Sequence, residues 1–302
     1  MAAPKFKNII LGRRWDDIRD AWLNYVPSFS GVGARPDPGL ERLAPLQEVS
    51  RPDSKGRVAD IAGVRANMLW EAIFLFQKCA HTHLAAQRLA SMGMHSWSMF
   101  NAYHSAYIGA RGVLAMLGIA FPYLSQSGQY LVDVFPPAES RKKVKVLAGR
   151  EFQEMLLIHL SGHLDQQQLW EAFQRTLRVS DISVCEAEVC HQLLSVRHEA
   201  ITKPRNAFLY KAAFWPDQDL AVDADDEHLL ALLGAELDAD ATGFLLRLSC
   251  HVYRLFERLV ADIAEQSGPI REQVNASRIL RDPGNSDLFA YNAFLKQMGV
   301  HA

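Results

Sequence analysis

The segment Arg205-Asn206-Ala207-Phe208-Leu209-Tyr210 sets a permanent cation, an amide and a phenol within two turns of a helix. Pro204 precedes it and forbids an undisturbed helical interior, because proline lacks an N–H and its ring clashes with the preceding turn. Proline is comfortable at the first helical position, so the pattern predicts a helix that begins or kinks at Lys203 or Pro204. Arg205 and Asn206 then stand at a helix start, where free backbone N–H groups favour an anion such as phosphate. Asn206 and Tyr210 are four apart and share a face, whereas Arg205 diverges somewhat from Tyr210 around the axis. The guanidinium is always charged and bidentate toward phosphate. A structural use is open beside this one: Arg205 paired with Glu199 or with an acid of the 217–227 loop, Asn206 capping a turn, and Tyr210 packed in a bundle.

A second polar set lies on Trp97–Ile119, WSMFNAYHSAYIGARGVLAMLGI. Phe100, Tyr103, Tyr107, Ala110, Leu114 and Leu117 recur at steps of three and four, which predicts an amphipathic helix with one apolar stripe. Ser96 or Ser98 is a candidate cap for its start, and Gly118 stands where a helix commonly stops. Ser105, Ala106, Gly109, Ala110 and Gly112 form a small-residue surface that lets another helix approach closely. Tyr103 and His104 carry polar tips to that contact. Arg141-Lys142-Lys143-Val144-Lys145 is the strongest basic cluster, readable as a solvated loop or as a phosphate contact.

The order YHSAYIGARGVLAMLGI resembles the second helix of HEPN-domain proteins, small four-helix domains common in prokaryotic defence and toxin–antitoxin systems. That helix reads as an aromatic pair, then small residues, then an Ala-Arg or Ala-Ala step into Leu-rich turns ending in Leu-Gly. Ser125-Gln126-Ser127-Gly128 and the piece from Tyr130 to Phe135 are similar to the turn and aromatic segment after that helix. HEPN ribonucleases carry an Arg, a polar residue, a short spacer and then His. Arg205 and Asn206 match, whereas Tyr210 stands where the His would be, as in some HEPN-like subfamilies.

The resemblance covers about half of the chain and implies an all-α protein with a four-helix up-and-down bundle. It also implies metal-independent RNA cleavage between the protomers of a homodimer, with no cofactor. A base would withdraw the ribose 2′-OH proton, and cations would stabilise the charged phosphorus centre. Arg205 would supply the cation and Asn206 would orient the phosphate or the base. A phenol with a pKa of about 10 is a poor base at neutral pH, so Tyr210 would hydrogen-bond the phosphate or act as general acid. His198 or His104 would substitute as the base. Tyr103, His104, Arg141, Lys142 and Lys143 are the candidate RNA contacts. Without chemistry, the resemblance implies a helical scaffold or a partner-binding subunit of a defence or toxin–antitoxin complex.

Composition narrows the alternatives. The 302 residues are 49% apolar and 22% charged, enough to bury a core in one large domain or two modest ones, and unlike a disordered or fibrous chain. A net charge of −2 and a pI near 6.6 argue against an overall electrostatic grip on nucleic acid, though not against a local basic patch. The start, MAAPKFKNIILGRRWDD, has no continuous apolar run, and no later run approaches a membrane span, so no membrane partner is expected. Cys79, Cys185, Cys190 and Cys250 form no CxxC pair; buried, reduced thiols fit a cytoplasmic protein. Cys185, Cys190 and His191 have no standard zinc spacing, the acids between Asp217 and Glu227 have no EF-hand spacing, and no metal is expected. The chain lacks a P-loop, a GxGxxG after a strand, HExxH and GxSxG, which sets aside NTPase and hydride-transfer chemistry.

Periodicity predicts the elements that must position these residues. Trp15, Ile18, Trp22 and Tyr25 predict a short docking helix, with a Gly/Pro-rich linker after it, together residues 1–55. The resemblance implies a HEPN-like domain over 56–268, with helices over Val58–Met92, Trp97–Ile119, Glu186–Phe214 and Ala239–Glu265. An insertion at about 125–180 includes a predicted helix or helix pair over 150–178, marked by Phe152, Leu156, Leu160, Trp170, Phe173 and Leu177. Leu229–Leu237 reads as a short helix, and the tail, 269–302, ends in another at Leu288–Met298. No stretch alternates as a strand does, and no internal repeat is present.

Overall fold

The computed structural model describes residues 10–24, 57–59, 64–92, 94–124, 128–137, 155–160, 164–202, 206 and 241–275. In chain order its helices are α1 (Trp15–Leu23), α2 (Val64–Ser91), α3 (His95–Met116), α4 (Gln166–Val179), α5 (Ala187–Ser195), α6 (Ala241–Gln266) and α7 (Gly268–Asn275). A further helical stretch runs over 198–202. The strands are β1 (Arg13–Arg14), β2 (Arg57–Ala59), β3 (Ile119–Ala120), β4 (Tyr123–Leu124), β5 (Gly128–Asp133), β6 (Met155–His159) and β7 (Ser180–Asp181). The described residues are mostly helical, as expected.

Helices α2 and α3 form an antiparallel hairpin that side-chain hydroxyls stitch along its length. Ser98 Oγ donates to the Ala86 carbonyl at 2.8 Å, and Ser105 Oγ to the Cys79 carbonyl at 3.0 Å. Ser98 is thus spent on this contact, and neither it nor Ser96 caps α3, whose N-cap position is Met94. Helix α6 completes the core, running antiparallel to α2 and parallel to α3. Its approach depends on two glycines of α3. A Cβ on Gly109 would lie 2.5 Å from Val252 Cγ1 and 2.9 Å from Cys79 Sγ, and one on Gly112 would lie 2.1 Å from Phe256 Cε1. Of the small-residue surface read from the sequence, Gly109 and Gly112 therefore meet α6, while Ser105 meets α2. Gly118, with φ of +80°, ends the helical run after α3, in the left-handed region that a residue with a Cβ disfavours.

The described helices also differ from expectation. Helix α2 starts at Val64 rather than Val58, because Arg57–Ala59 is a strand paired with β6. The helix expected over Glu186–Phe214 is interrupted: α5 ends at Ser195, and Val196 is extended (φ −73°, ψ 124°). The Gln174 amide of α4 donates to the carbonyls of Leu193 at 2.9 Å and Val196 at 2.7 Å. A tertiary donor thus serves carbonyls at the end of α5. Residues after Gly268, read as polar tail, begin with α7. The elements expected at Leu229–Leu237 and Leu288–Met298 lie outside the described residues.

The sheet is the main correction, since no strands were expected. Strands β2, β6, β5 and β3 pair antiparallel in that order, with β4 paired to the start of β5. In register, Val132 faces Leu157 and Ala120 faces Val132. Tyr130 to Asp133 are buried in succession, as are Met155 to Leu157. A strand covered on both faces loses the alternation that marks a half-exposed one. The four-residue step from Leu156 to Leu160 looked helical for that reason. A short parallel ladder pairs β1 with β7.

Helix α1 docks as its tryptophans suggest. Trp15 Nε1 donates to Asp262 Oδ2 of α6 at 2.7 Å, and Trp22 Nε1 to the Met116 carbonyl at the end of α3 at 2.7 Å. Beside it, Arg13 and Asp133 form a buried ion pair at 2.8 Å, each side chain 3% exposed. Two substitutions test these contacts. Gly112→Ala should lose about 1–3 kcal/mol of stability by overpacking, read as a lower urea midpoint, while Arg111→Ala on the exposed side stays near wild type. Asp133→Ala should lose about 3–5 kcal/mol, because it strands a buried guanidinium.

Candidate functional site

Helix α3 turns a polar and aromatic face away from the glycine contact, so Tyr103 and His104, expected to carry their polar tips to that contact, bond to Gln166 and to the Phe100 carbonyl instead. Along it, Trp97 meets Phe100 edge-on at 6.2 Å, Phe100 meets His104 at 4.1 Å, and Tyr103 contacts His104 at 5.4 Å and Tyr107 at 5.1 Å. Trp97 is 45% exposed, while Tyr103 and Tyr107 are buried. The stripe thus begins in solvent and runs under α4 and the 198–202 stretch.

The start of α4 is built to meet it. Asp165 accepts from Gln168 N at 2.8 Å while the Gln168 amide oxygen accepts from Asp165 N at 3.0 Å, a reciprocal capping box. This places Gln166 in the first turn, over the two tyrosines. Tyr103 Oη donates to Gln166 Oε1, and Tyr107 Oη to the Gln166 carbonyl. His198 Nε2 lies 3.4 Å from Tyr107 Oη. A phenol has one proton, and Tyr107 spends it on Gln166. His198 therefore presents Nε2–H to the phenol oxygen and keeps Nδ1 as its basic atom. Burial holds the His198 pKa below its ordinary value, partly opposed by the carboxylates of Glu199, Asp165 and Glu171. The imidazole is neutral near pH 7 and able to accept a proton. His104 Nδ1 donates to the Phe100 carbonyl one turn back, at 2.9 Å.

Of the residues singled out in the sequence, Tyr103, His104 and His198 come together on this face. Asn206 is exposed and helical. Arg205, Tyr210, Arg141, Lys142 and Lys143 lie outside the described residues. Comparison with models of known protein families, with curated proteins and with solved structures finds no match to this chain.

Four residues of the site were not singled out as such. Tyr107 is one turn beyond Tyr103, which was the available signal. Phe100 was legible only as a member of an apolar stripe, and Trp97 only as the first residue of the helical stretch. Gln166 carried no signal, since a polar residue opening a helix is ordinary. Among the described residues, no group of three or more His, Cys, Asp and Glu side chains is gathered to hold a metal ion.

A second line of titratable groups is closed off between α2 and α6. Gln87 Nε2 donates to His83 Nε2 at 3.0 Å, so Nδ1–H of His83 donates to Ser249 Oγ, 2.7 Å away. The imidazole stacks on Tyr253, whose hydroxyl donates to Glu257 Oε1 at 3.1 Å. Burial pushes the Tyr253 and Glu257 pKa values up and holds His83 down to about 4. This line serves the bundle. An unfolded histidine titrates at about 6.5, so below that pH the unfolded chain takes a proton that folded His83 refuses. The group leaves stability unchanged above about pH 6.5 and costs stability as pH falls from there toward about 4. The stability difference between wild type and His83→Gln, measured by urea titration, should shrink or reverse across that window.

Proposed function

We propose that this chain is a HEPN-like, cytoplasmic RNA-binding protein of a bacterial defence or toxin–antitoxin system, cleaving RNA without a metal ion as a homodimer or within a complex. The observation that carries the reading is the His198–Tyr107 contact, because it sets a neutral imidazole beside the aromatic face of α3, seven residues before Arg205. His198 Nδ1 would take the 2′-OH proton, Arg205 would hold the phosphate, and Asn206 would orient it. Tyr210 would hydrogen-bond the phosphate or protonate the leaving oxygen. Trp97 and Phe100 offer π-faces on which unpaired bases stack, an interaction worth about 1–3 kcal/mol per base.

One observation favours a binding subunit without chemistry. The hydroxyls of Tyr103 and Tyr107 are already engaged by Gln166, which fits a face held for packing. Cleavage of total RNA and tRNA in the presence of a chelator separates the two readings. With catalysis, Arg205→Ala abolishes cleavage and His198→Ala lowers it about 10²- to 10⁴-fold. The rate then rises with pH to a plateau, with its midpoint below the ordinary histidine pKa. Folded protein that cuts no RNA near neutral pH leaves the scaffold reading, and retained RNA affinity in Trp97→Ala would remove the stacking role.

A further inference from the structure

We propose that Cys185 and Cys190 form a modification site at which a peroxide joins the two thiols in one intramolecular disulfide. The inference stands apart from the RNA reading. Glu186, extended at φ −63° and ψ 134°, is the N-cap residue of α5. Cys185 is then the residue before the cap and Cys190 the fourth of the helix. Side chains at these two positions meet across a helix start, where an apolar pair staples the entering chain. Here both members are cysteines, placed so that each thiol shifts the other's titration.

Three features turn a packing contact into a reactive one. Both thiols are partly exposed, whereas Cys79 and Cys250 are buried. The backbone that carries them is held in place. Cys185 N donates to the Ile182 carbonyl at 3.2 Å, and Glu186 accepts from Arg254 at 2.9 Å and Arg258 at 3.2 Å. Lastly, the two thiols act on each other. The neighbouring Cys185 thiol draws the Cys190 pKa down, and Cys190 pushes the Cys185 pKa up, with burial opposing the first and adding to the second. Cys190 is therefore the nucleophile and Cys185 the resolving thiol.

The chemistry balances with hydrogen peroxide as the named oxidant. The Cys190 thiolate attacks one peroxide oxygen, the O–O bond breaks, and the released hydroxide takes a proton to leave as water. Cys190 is now a sulfenic acid. The Cys185 sulfur attacks the Cys190 sulfur, the S–S bond forms as S–O breaks, and the hydroxide leaves with the Cys185 proton as a second water. Two thiols lose two electrons in total, and one peroxide becomes two waters.

The test treats the native full-length chain with hydrogen peroxide, alkylates the remaining thiols, and maps peptides by mass spectrometry without reduction. The expected result is loss of both Cys185 and Cys190 alkylation, a linked peptide lighter by two hydrogens, and full reversal by dithiothreitol. In Cys185→Ser, Cys190 should stop at a sulfenic acid that dimedone traps. In Cys190→Ser, Cys185 should stay alkylatable at the same dose. The wild-type map needs no variant, so a misfolded variant does not blunt the test. Two alkylatable thiols after treatment, oxygen addition without a link, or a link only between chains would each overturn the proposal.

Discussion

The buried pair of Arg13 and Asp133 is the interaction on which the other parts converge. Arg13 Nη2 donates to Asp133 Oδ2 at 2.8 Å, while Nη1 donates to Oδ1 at 3.2 Å and to the Leu117 carbonyl at 2.8 Å. Asp133 Oδ1 also accepts from Phe135 N at 3.1 Å. One fork-shaped group thus ties the strand before α1, the end of α3 and the exit of β5. Two buried charges are tolerable only when their mutual attraction and remaining hydrogen bonds offset desolvation. Close by, Arg65 Nε donates to the Val134 carbonyl at 3.1 Å and Trp22 Nε1 to Met116. The carbonyls left free where α3 stops are used to fasten the sheet and the N-terminal helix.

With its end anchored in this way, α3 acts as the spine of the molecule. On one side Gly109 and Gly112 bring α6 close enough that a methyl group would collide. On another, Tyr103 and Tyr107 reach α4 and the 198–202 stretch. The first side gives rigidity, because close-packed helices cannot slide without overlap. The second collects polar side chains whose hydrogen bonds constrain their tautomers and rotamers. A site that holds His198 in a stated tautomer needs such a backing.

The candidate site was partly legible. Tyr103 and His104 were visible as polar residues in an apolar helix, and His198 as the histidine nearest Arg205. Their meeting depends on Gln166, which is 63 residues from Tyr103 and 59 from Tyr107, and no local pattern encodes such a distance. The sheet was hidden for another reason. Tyr130 to Asp133 and Met155 to Leu157 are covered on both faces, so their hydrophobicity carries no period of two. Arg13 and Asp133 look like surface charges in the sequence, since charged side chains are seldom buried unless paired.

Sequence alone determined what local chemistry decides. It set the helical stripe of α3, the stop near Gly118 where a left-handed residue is needed, the docking face of Trp15, Ile18 and Trp22, and the close approach that Gly109 and Gly112 permit. These depend on side chains within a few turns of each other. Tertiary structure alone decided where Leu193 and Val196 find the donor that ends α5, which strands pair, and which charges sit inside. Each of those outcomes requires a partner from a distant segment, and a single stretch of chain cannot specify the partner that satisfies it.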